Sequence, residues 1–184
     1  MSRQAWNETV AWQTTDGTAI ANTTTEAIIF PNVTLPANYL QDGRVLRLTA
    51  YGRYGVTGTP TLTFAVRWGG VSGTVIAQSG AITCGSGVTA AQWKLEVLIQ
   101  TRTNGATGTV FAMGDVTLHE DAAATAGTVT NYGMVSPMAS AGVTTPAAVT
   151  VITTCQPAVE TEPELVVTRR ITSPTLTMEA TALK

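Results

Sequence analysis

Alternation of apolar and polar residues between positions 92 and 103 is the feature that most constrains how this chain folds. A period of two is typical of a half-buried β-strand. Asn104-Gly105 follows directly, a dipeptide that favours a tight hairpin turn, and a second alternating run returns over residues 110–118. The sequence therefore predicts one long antiparallel hairpin. The core face of its first strand comprises Trp93, Leu95, Val97 and Ile99.

A similar pair of alternating segments lies nearer the N-terminus, at residues 44–51 and 61–68. The segment Gly55–Pro60 between them is rich in glycine and threonine, and Gly and Pro mark turns. The spacing predicts a second hairpin of the same style. Its predicted core residues are Leu46, Leu48, Leu62, Phe64, Val66 and Trp68.

Short runs with strand character recur along the rest of the chain, and no window keeps the i, i+3, i+4, i+7 spacing of a helix. Many short strands separated by turns indicate an all-β sandwich or barrel. We predict an antiparallel β-sandwich of jelly-roll type with about eight to ten strands. Residues 16–184 form its single domain, and residues 1–15 form an N-terminal arm or edge strand. The further predicted strands are 8–14, 25–30, 73–77, 80–84, 128–134, 147–153, 165–171 and 176–183.

Charge is scarce in this chain. Charged residues make up 12% of it and hydrophobic residues 44%, whereas globular proteins average about 25% charged residues. Much of the solvent-facing area is therefore weakly polar, and we expect other subunits or partners to cover part of it. A homo-oligomer or a component of a lattice fits this composition.

The charge balance also bears on partners and location. A formal net charge of −2 lacks the clustered basic residues that bind phosphates, so we expect no nucleic-acid partner. The sequence has no apolar run of membrane-spanning length, and its first residues do not resemble a secretory signal. We expect no membrane partner and synthesis in a cytoplasm.

Chemistry-bearing residues are few. His119 is the only histidine, and its neighbours Glu120 and Asp121 alternate in direction along a strand, so they do not converge on one ligand. Acidic residues alternate within 160–164, where the flanking Pro157 and an internal proline indicate a solvated loop. We predict no catalytic residues, no metal site and no cofactor.

Outward-facing residues are the better candidates for function. Phe111 and Met113 fall on the polar side of the second strand of the long hairpin, and we predict that they form a subunit interface. Asp115 shares that side and is expected to polarise the contact. Several aromatic residues outside the predicted core faces are free to be exposed for a partner or a glycan. They are Trp6, Trp12, Tyr39, Tyr51, Tyr54 and Tyr132.

The two cysteines, Cys84 and Cys155, are far apart in sequence and form no CxxC motif. A disulfide is conceivable where two strands meet. Synthesis in a reducing cytoplasm favours two buried thiols instead.

Three stretches resemble a family of small structural proteins of tailed bacteriophages. They are residues 8–70, beginning ETVAWQTTDG; residues 85–114, beginning GSGVTAAQWKLEV; and the closing segment SPTLTMEATALK. The tract from about 120 to 165 departs most from the family pattern. These motifs are strand-and-turn patterns that carry no catalytic signature.

The resemblance implies a jelly-roll fold and a place in the virion. Within the family it implies either a capsid decoration (cement) protein or a head- or tail-fibre component. As a decoration protein the chain would bind the major capsid protein and itself, and trimers suit three-fold positions of a capsid lattice. It would be assembled in the host cytoplasm and located on the capsid surface. The alternative is a fibre module that binds a receptor glycan; an enzyme is the least favoured reading.

Overall fold

The computed structural model describes residues 6–12, 20, 23–30, 32–35, 39–56, 58–105, 107–120, 128–136, 148–156 and 160–171. Within these residues every regular element is a strand, and none is a helix. The strands are β1 (Trp6–Trp12), β2 (Thr23–Ile28), β3 (Val33–Thr34), β4 (Val45–Gly55), β5 (Thr61–Trp68), β6 (Thr74–Gln78), β7 (Ile82–Thr83), β8 (Ala91–Thr103), β9 (Thr109–His119), β10 (Val129–Val135), β11 (Ala148–Gln156) and β12 (Glu160–Ile171).

The described strands pair in nested, antiparallel fashion. β1 pairs with β12, β2 with β11, β4 with β8, and β5 with β6. The pairs are then joined to one another, because β12 also pairs with β4, and β11 also pairs with β5. Nesting of first with last strands is the double Greek key of a jelly roll, so the predicted fold class is confirmed.

This pairing builds two sheets. The large sheet has the order β1-β12-β4-β8-β9-β10, and the small sheet has the order β6-β5-β11-β2, with the two-residue strands β3 and β7 beside β11 and β5. β9 and β10 widen the large sheet beyond the nested pairs. One residue pair, Val135 with Gln78, joins β10 to β6 and connects the two sheets at that edge. The described residues hold twelve strands, two more than the upper end of the predicted eight to ten, and β3 and β7 are only two residues long.

The core lies between the inner faces of the two sheets. Trp93 of β8 has its ring centroid 4.9 Å from that of Phe64 in β5 and 6.3 Å from that of Phe30. Burying each large apolar side chain contributes about 1.5 to 3 kcal/mol. All ten residues predicted for the core are buried, with 0–4% of each exposed: Leu46, Leu48, Leu62, Phe64, Val66, Trp68, Trp93, Leu95, Val97 and Ile99.

The long hairpin predicted for residues 92–118 is confirmed, because β8 and β9 pair along nearly their whole length. The tight turn is wrong, however. Thr103 pairs with Thr109, so the loop has five residues, 104–108. Asn104 donates its backbone N–H to the Asp42 carboxylate at 2.8 Å, which ties this loop to the segment before β4.

The second predicted hairpin is wrong. β4 pairs with β12 and β8, whereas β5 pairs with β11, β6 and β7, so the two strands lie in different sheets. The segment after β4 crosses between the sheets and is held by backbone hydrogen bonds instead. Val56 donates to Val88 at 2.8 Å, and Pro60 accepts from Cys84 at 2.9 Å. Glycine and proline mark a reversal in both cases, and only long-range pairing distinguishes a hairpin from a crossover.

The loop predicted for the acidic tract is also wrong, because residues 160–171 form β12. β1 pairs with β12 only from Val166 to Ile171. Pro163 therefore lies on a stretch of β12 that has β4 on one side and no described strand on the other. Proline is tolerated on such an edge, where its missing N–H can face outward. The strand predicted at 176–183 lies outside the described residues.

The strand register separates the two cysteines. Cys155 of β11 pairs with Leu62 of β5 on one side, and Ile82 of β7 pairs with the same Leu62 on the other. Cys84, two residues beyond Ile82, is buried. Two strand spacings amount to about 9.6 Å, which exceeds the Cα separation of about 4.4 to 6.8 Å that a disulfide spans.

Candidate interaction surface

The exposed large apolar side chains are confined to one side of the described molecule. Their register places all of them on the outer face of the large sheet, which faces away from the core. None of those described lies on the outer face of the small sheet. They are Trp12 (68% exposed), Tyr51 (41%), Leu98 (43%), Phe111 (41%), Met113 (62%) and Val129 (51%).

Three of these residues form what we call the apolar cluster: Leu98, Phe111 and Met113. Leu98 of β8 is the direct cross-strand partner of Met113 in β9, and Phe111 is the next outward residue along β9. Outward partners in an antiparallel pair have Cβ atoms about 5 Å apart, so the three side chains are contiguous. A solvent-exposed group of this kind at the middle of a sheet is typical of an interaction site.

A charged row borders the apolar cluster on one side. Glu96, the next outward residue along β8, accepts from Arg47 Nη2 at 2.5 Å and from Lys94 Nζ at 3.0 Å. Partial burial raises the pKa of Glu96, but hydrogen bonds from Lys94 and Arg47 outweigh that effect and lower it from its ordinary value. Both cations of this row are thus engaged with Glu96.

Asp115 completes the row without an ion-pair partner among the described residues. It is the cross-strand partner of Glu96 and is exposed. Since Arg47 and Lys94 already hold Glu96, Asp115 presents a carboxylate to solvent beside the apolar cluster.

A second unpaired charge lies at the opposite end of the cluster. Arg102 is exposed at the irregularity between Thr101 and Thr103 of β8, and Thr101 is buried, so Arg102 points outward. No described residue forms an ion pair with it. Along the strands Asp115 and Arg102 each lie three residues from the centre of the apolar cluster, about 10 Å at 3.4 Å per residue.

The structure thus brings together Phe111, Met113 and Asp115 of the predicted interface residues. Tyr51 lies on the same face but on β4, beside the cross-strand partner Lys94. Trp12 lies on β1, the edge strand of the large sheet, three strands from β8. Trp6 belongs to the same strand, and its side chain lies outside the described residues.

Leu98 is the member of the apolar cluster that the sequence reasoning missed. The signal was present, because Leu98 occupies a position in the polar phase of the alternating segment 92–103. An apolar residue out of phase in a half-buried strand points to solvent, and it becomes informative when other exposed apolar residues lie beside it.

The prediction that Tyr54 is free to be exposed is wrong. Tyr54 is 1% exposed and donates its hydroxyl to the backbone oxygen of His119 at 2.6 Å. Burial, followed by nearby Cys84 and Glu120, raises its pKa. Its position keeps the inward phase of Leu48 in β4, which accounts for its burial.

Tyr132 and Glu120 form the other notable polar contact, at the end of the sandwich where β9 leads into β10. Tyr132 donates its hydroxyl to the Glu120 carboxylate. Burial and this hydrogen bond raise the pKa of Tyr132 to about 12. Glu120 also donates its backbone N–H to Thr128 at 3.0 Å, so the contact fastens the β9–β10 connection.

Two kinds of feature, a cluster of metal-ligating side chains and a helix able to cross a membrane, are absent from the described residues. No group of three or more His, Cys, Asp or Glu side chains among them is placed to hold a metal ion. None of the described segments is a helix of the length and apolarity that a membrane crossing requires.

The outer face of the small sheet is organised differently. Arg67 of β5 donates through Nη2 to Glu26 of β2 at 2.6 Å and through Nη1 to the backbone oxygen of Gly73 at 2.8 Å. Threonines occupy the outward positions Thr61 and Thr63 of β5. Here the ion pair is closed within the chain.

Because sequence comparison finds no match, the fold is assigned from the strand pairing. No family model and no curated protein matches the sequence. The pairing itself defines the chain as a jelly-roll β-sandwich.

Two solved structures are similar to this chain. One is the CBM2 module of the evolved Dit of Lactobacillus casei BL23 phage J-1, with 9% identity, a TM-score of 0.38, and coverage of 93% of this chain and 100% of that one. The other is a structure of infectious bursal disease virus, Gx strain, with 12% identity, a TM-score of 0.32, and coverage of 93% of this chain and 42% of that one. At these TM-scores neither likeness carries an argument about what this chain does.

Proposed function

We propose that this chain is a non-enzymatic structural protein of a bacteriophage virion, most simply a capsid decoration protein that binds the shell and stabilises it. The observation that carries the proposal is the confinement of the exposed apolar side chains to the outer face of the large sheet. A jelly roll whose described exposed apolar side chains share one outer face is suited to lying on a surface with that face. The resemblance of the sequence to small structural proteins of tailed phages supports the same assignment.

Scarcity of catalytic side chains agrees with a mechanical role. His119 is the only histidine of the chain, and its backbone oxygen is engaged by the Tyr54 hydroxyl. Burial of apolar area, at about 25 cal/mol per Å², is then the main source of binding free energy. The proposed partners are the major capsid protein and further copies of this chain, with a trimer as the expected order, and the proposed location is the capsid surface.

The test is the number of copies per particle. Virions of the phage that encodes the chain are purified, and the chain is quantified by mass spectrometry against the major capsid protein. Hundreds of copies are expected for a decoration protein, together with particles that lose heat stability when the gene is deleted. Absence of the chain from purified virions would sink the proposal.

A fibre or receptor-binding module is the second candidate, favoured by one specific observation. Trp12 and Tyr51, two aromatic side chains able to stack on sugar rings, are both exposed on the outer face of the large sheet. This function predicts few copies per particle and binding to host surface polysaccharide that Trp12→Ala abolishes. Leu98→Ala, on the same face but outside the aromatic pair, should leave glycan binding unchanged.

A further inference from the structure

We propose that the outer face of β8 and β9 is a two-fold interface between two copies of this chain, in which Asp115 of each copy faces Arg102 of the other. The proposal rests on the self-association included in the proposed function and names the surface and its geometry. It starts from the symmetric placement of two unpaired opposite charges about the apolar cluster.

The arrangement is self-complementary. Asp115 and Arg102 lie about 10 Å from the centre of the apolar cluster, on opposite sides along the strands. A two-fold axis that runs across the strands through this centre exchanges the two ends. It therefore brings Arg102 of one copy over the carboxylate pair Glu96 and Asp115 of the second, directly opposite Glu96 and one strand spacing from Asp115, twice in the complex. The two apolar clusters meet in the middle. An interface made of one patch on both subunits must have this property.

Face-to-face packing of this kind is ordinary for sheets. Aligned sheets pack about 10 Å apart with their strands within roughly 30° of each other. Arg102 and Asp115 lie on neighbouring strands, so the long arginine side chain has one strand spacing, about 4.8 Å, to bridge. An apolar centre with charges at its rim is the common composition of a protein interface.

The alternative two-fold orientation is unfavourable. An axis parallel to the strands and midway between β8 and β9 would place Glu96 and Asp115 of one copy against Asp115 and Glu96 of the other. Like charges directly opposite each other destabilise a contact. Charge placement thus selects one orientation.

Two charged residues on the same face are already paired within the chain. Arg47 and Lys94 are held by Glu96. Trp12 lies three strands from β8, away from the centre of the contact. A two-fold contact closes at two copies, whereas the trimer expected from the sequence needs a different surface.

The test is a charge swap followed by sedimentation velocity over a concentration series. The wild-type chain is expected to dimerise, and added salt should weaken the dimer. Asp115→Lys and Arg102→Asp each place like charges together at two sites, so each should weaken dimerisation by about tenfold or more. The double variant, Asp115→Lys with Arg102→Asp, should restore it.

Arg53→Asp is the matched control. Arg53 is exposed on the outer face of the large sheet, near the end of β4 that is farther from the apolar cluster. An arginine-to-aspartate substitution there should leave the dimer unchanged. Circular dichroism and thermal unfolding establish that each variant is folded. Should a charge variant not fold, Met113→Gln provides a second route, because it removes apolar contact at the centre and should also weaken dimerisation.

A chain that stays monomeric, or whose self-association does not respond to these substitutions, would overturn the inference. Its failure is separable from that of the proposed function. Many copies per virion without such a dimer would refute only the interface, and a charge-swappable dimer absent from virions would refute only the virion role.

Discussion

The two outer faces of this sandwich satisfy their charges in different ways. On the small sheet, Arg67 is held by Glu26 and by the backbone of Gly73, so its charge is closed within the chain. On the large sheet, Asp115 and Arg102 are exposed and have no ion-pair partner among the described residues, with three exposed apolar side chains between them. The large-sheet face also closes an ion-pair network, around Glu96. It differs from the small-sheet face in having two further charges placed on either side of exposed apolar side chains, and that placement suits it to a partner.

The largest expected loss of stability comes from a substitution that disrupts the pairing of β8 with β9 in the large sheet. A Cβ added at Gly114 would lie 2.1 Å from the Glu96 backbone oxygen and 2.7 Å from Val97 Cα. Neither backbone atom can move without disrupting the ladder, so Gly114→Ala should cost about 3 kcal/mol of the free energy of unfolding in urea. Gly133→Ala is the control, because nothing lies within 4 Å of a Cβ at Gly133. Equal costs at both positions would contradict the close approach.

A smaller loss of stability distinguishes the outer face of the small sheet from that of the large sheet. Glu26→Ala leaves the mostly buried guanidinium of Arg67 without its carboxylate, and we expect a loss of about 1 to 2 kcal/mol. Asp115→Ala removes no contact within the chain, so its cost should stay below about 0.5 kcal/mol. Urea unfolding of monomeric samples measures both. A larger cost for Asp115→Ala would show that its charge is used inside the monomer.

The smallest effect is the acid sensitivity of the large-sheet face. The pKa of Glu96 is lowered in the folded chain by Lys94 and Arg47. The stabilisation by Glu96 is therefore present above the pKa that it has in the unfolded chain, and it is lost as pH falls through the folded value. Glu96→Gln should flatten this acid limb of stability against pH, and Lys94→Met should flatten it in part. If the stability of Glu96→Gln falls with decreasing pH as steeply as that of the wild type, Glu96 is not the group that causes the acid sensitivity.

Local patterns predicted the strands well because alternation is a local property. The core positions of β8, such as Leu95 and Val97, follow from a period of two alone. The same reasoning failed for the connection between β4 and β5. A hairpin and a crossover begin with the same glycine-rich reversal, and the choice depends on which distant strands, here β12 and β11, come to pair with each.

The residues of the apolar cluster and Asp115 were predictable from the sequence, whereas their arrangement on the sheet was not. Phe111, Met113 and Asp115 are visible as outward residues of one strand, and Leu98 as an apolar residue out of phase. That Arg102 mirrors Asp115 across the apolar cluster depends on the β8–β9 register, including the irregularity near Thr103. Register depends on the hydrophobic pattern and on the turn, and the five-residue loop differs from the tight turn that Asn104-Gly105 suggests.

The pairing of β1 with β12 also governs how the chain reaches its fold. Trp6 lies opposite Ile171, so the edge of the large sheet closes between residues that are far apart in the sequence, and β1 is made well before β12. Contacts of such long sequence separation slow folding, because chain entropy is lost before the contacts form. On the ribosome β1 must wait for β12, and during that interval the partly built large sheet exposes its edges to neighbouring chains. High-level expression should therefore favour aggregation of incomplete chains over that of the finished protein.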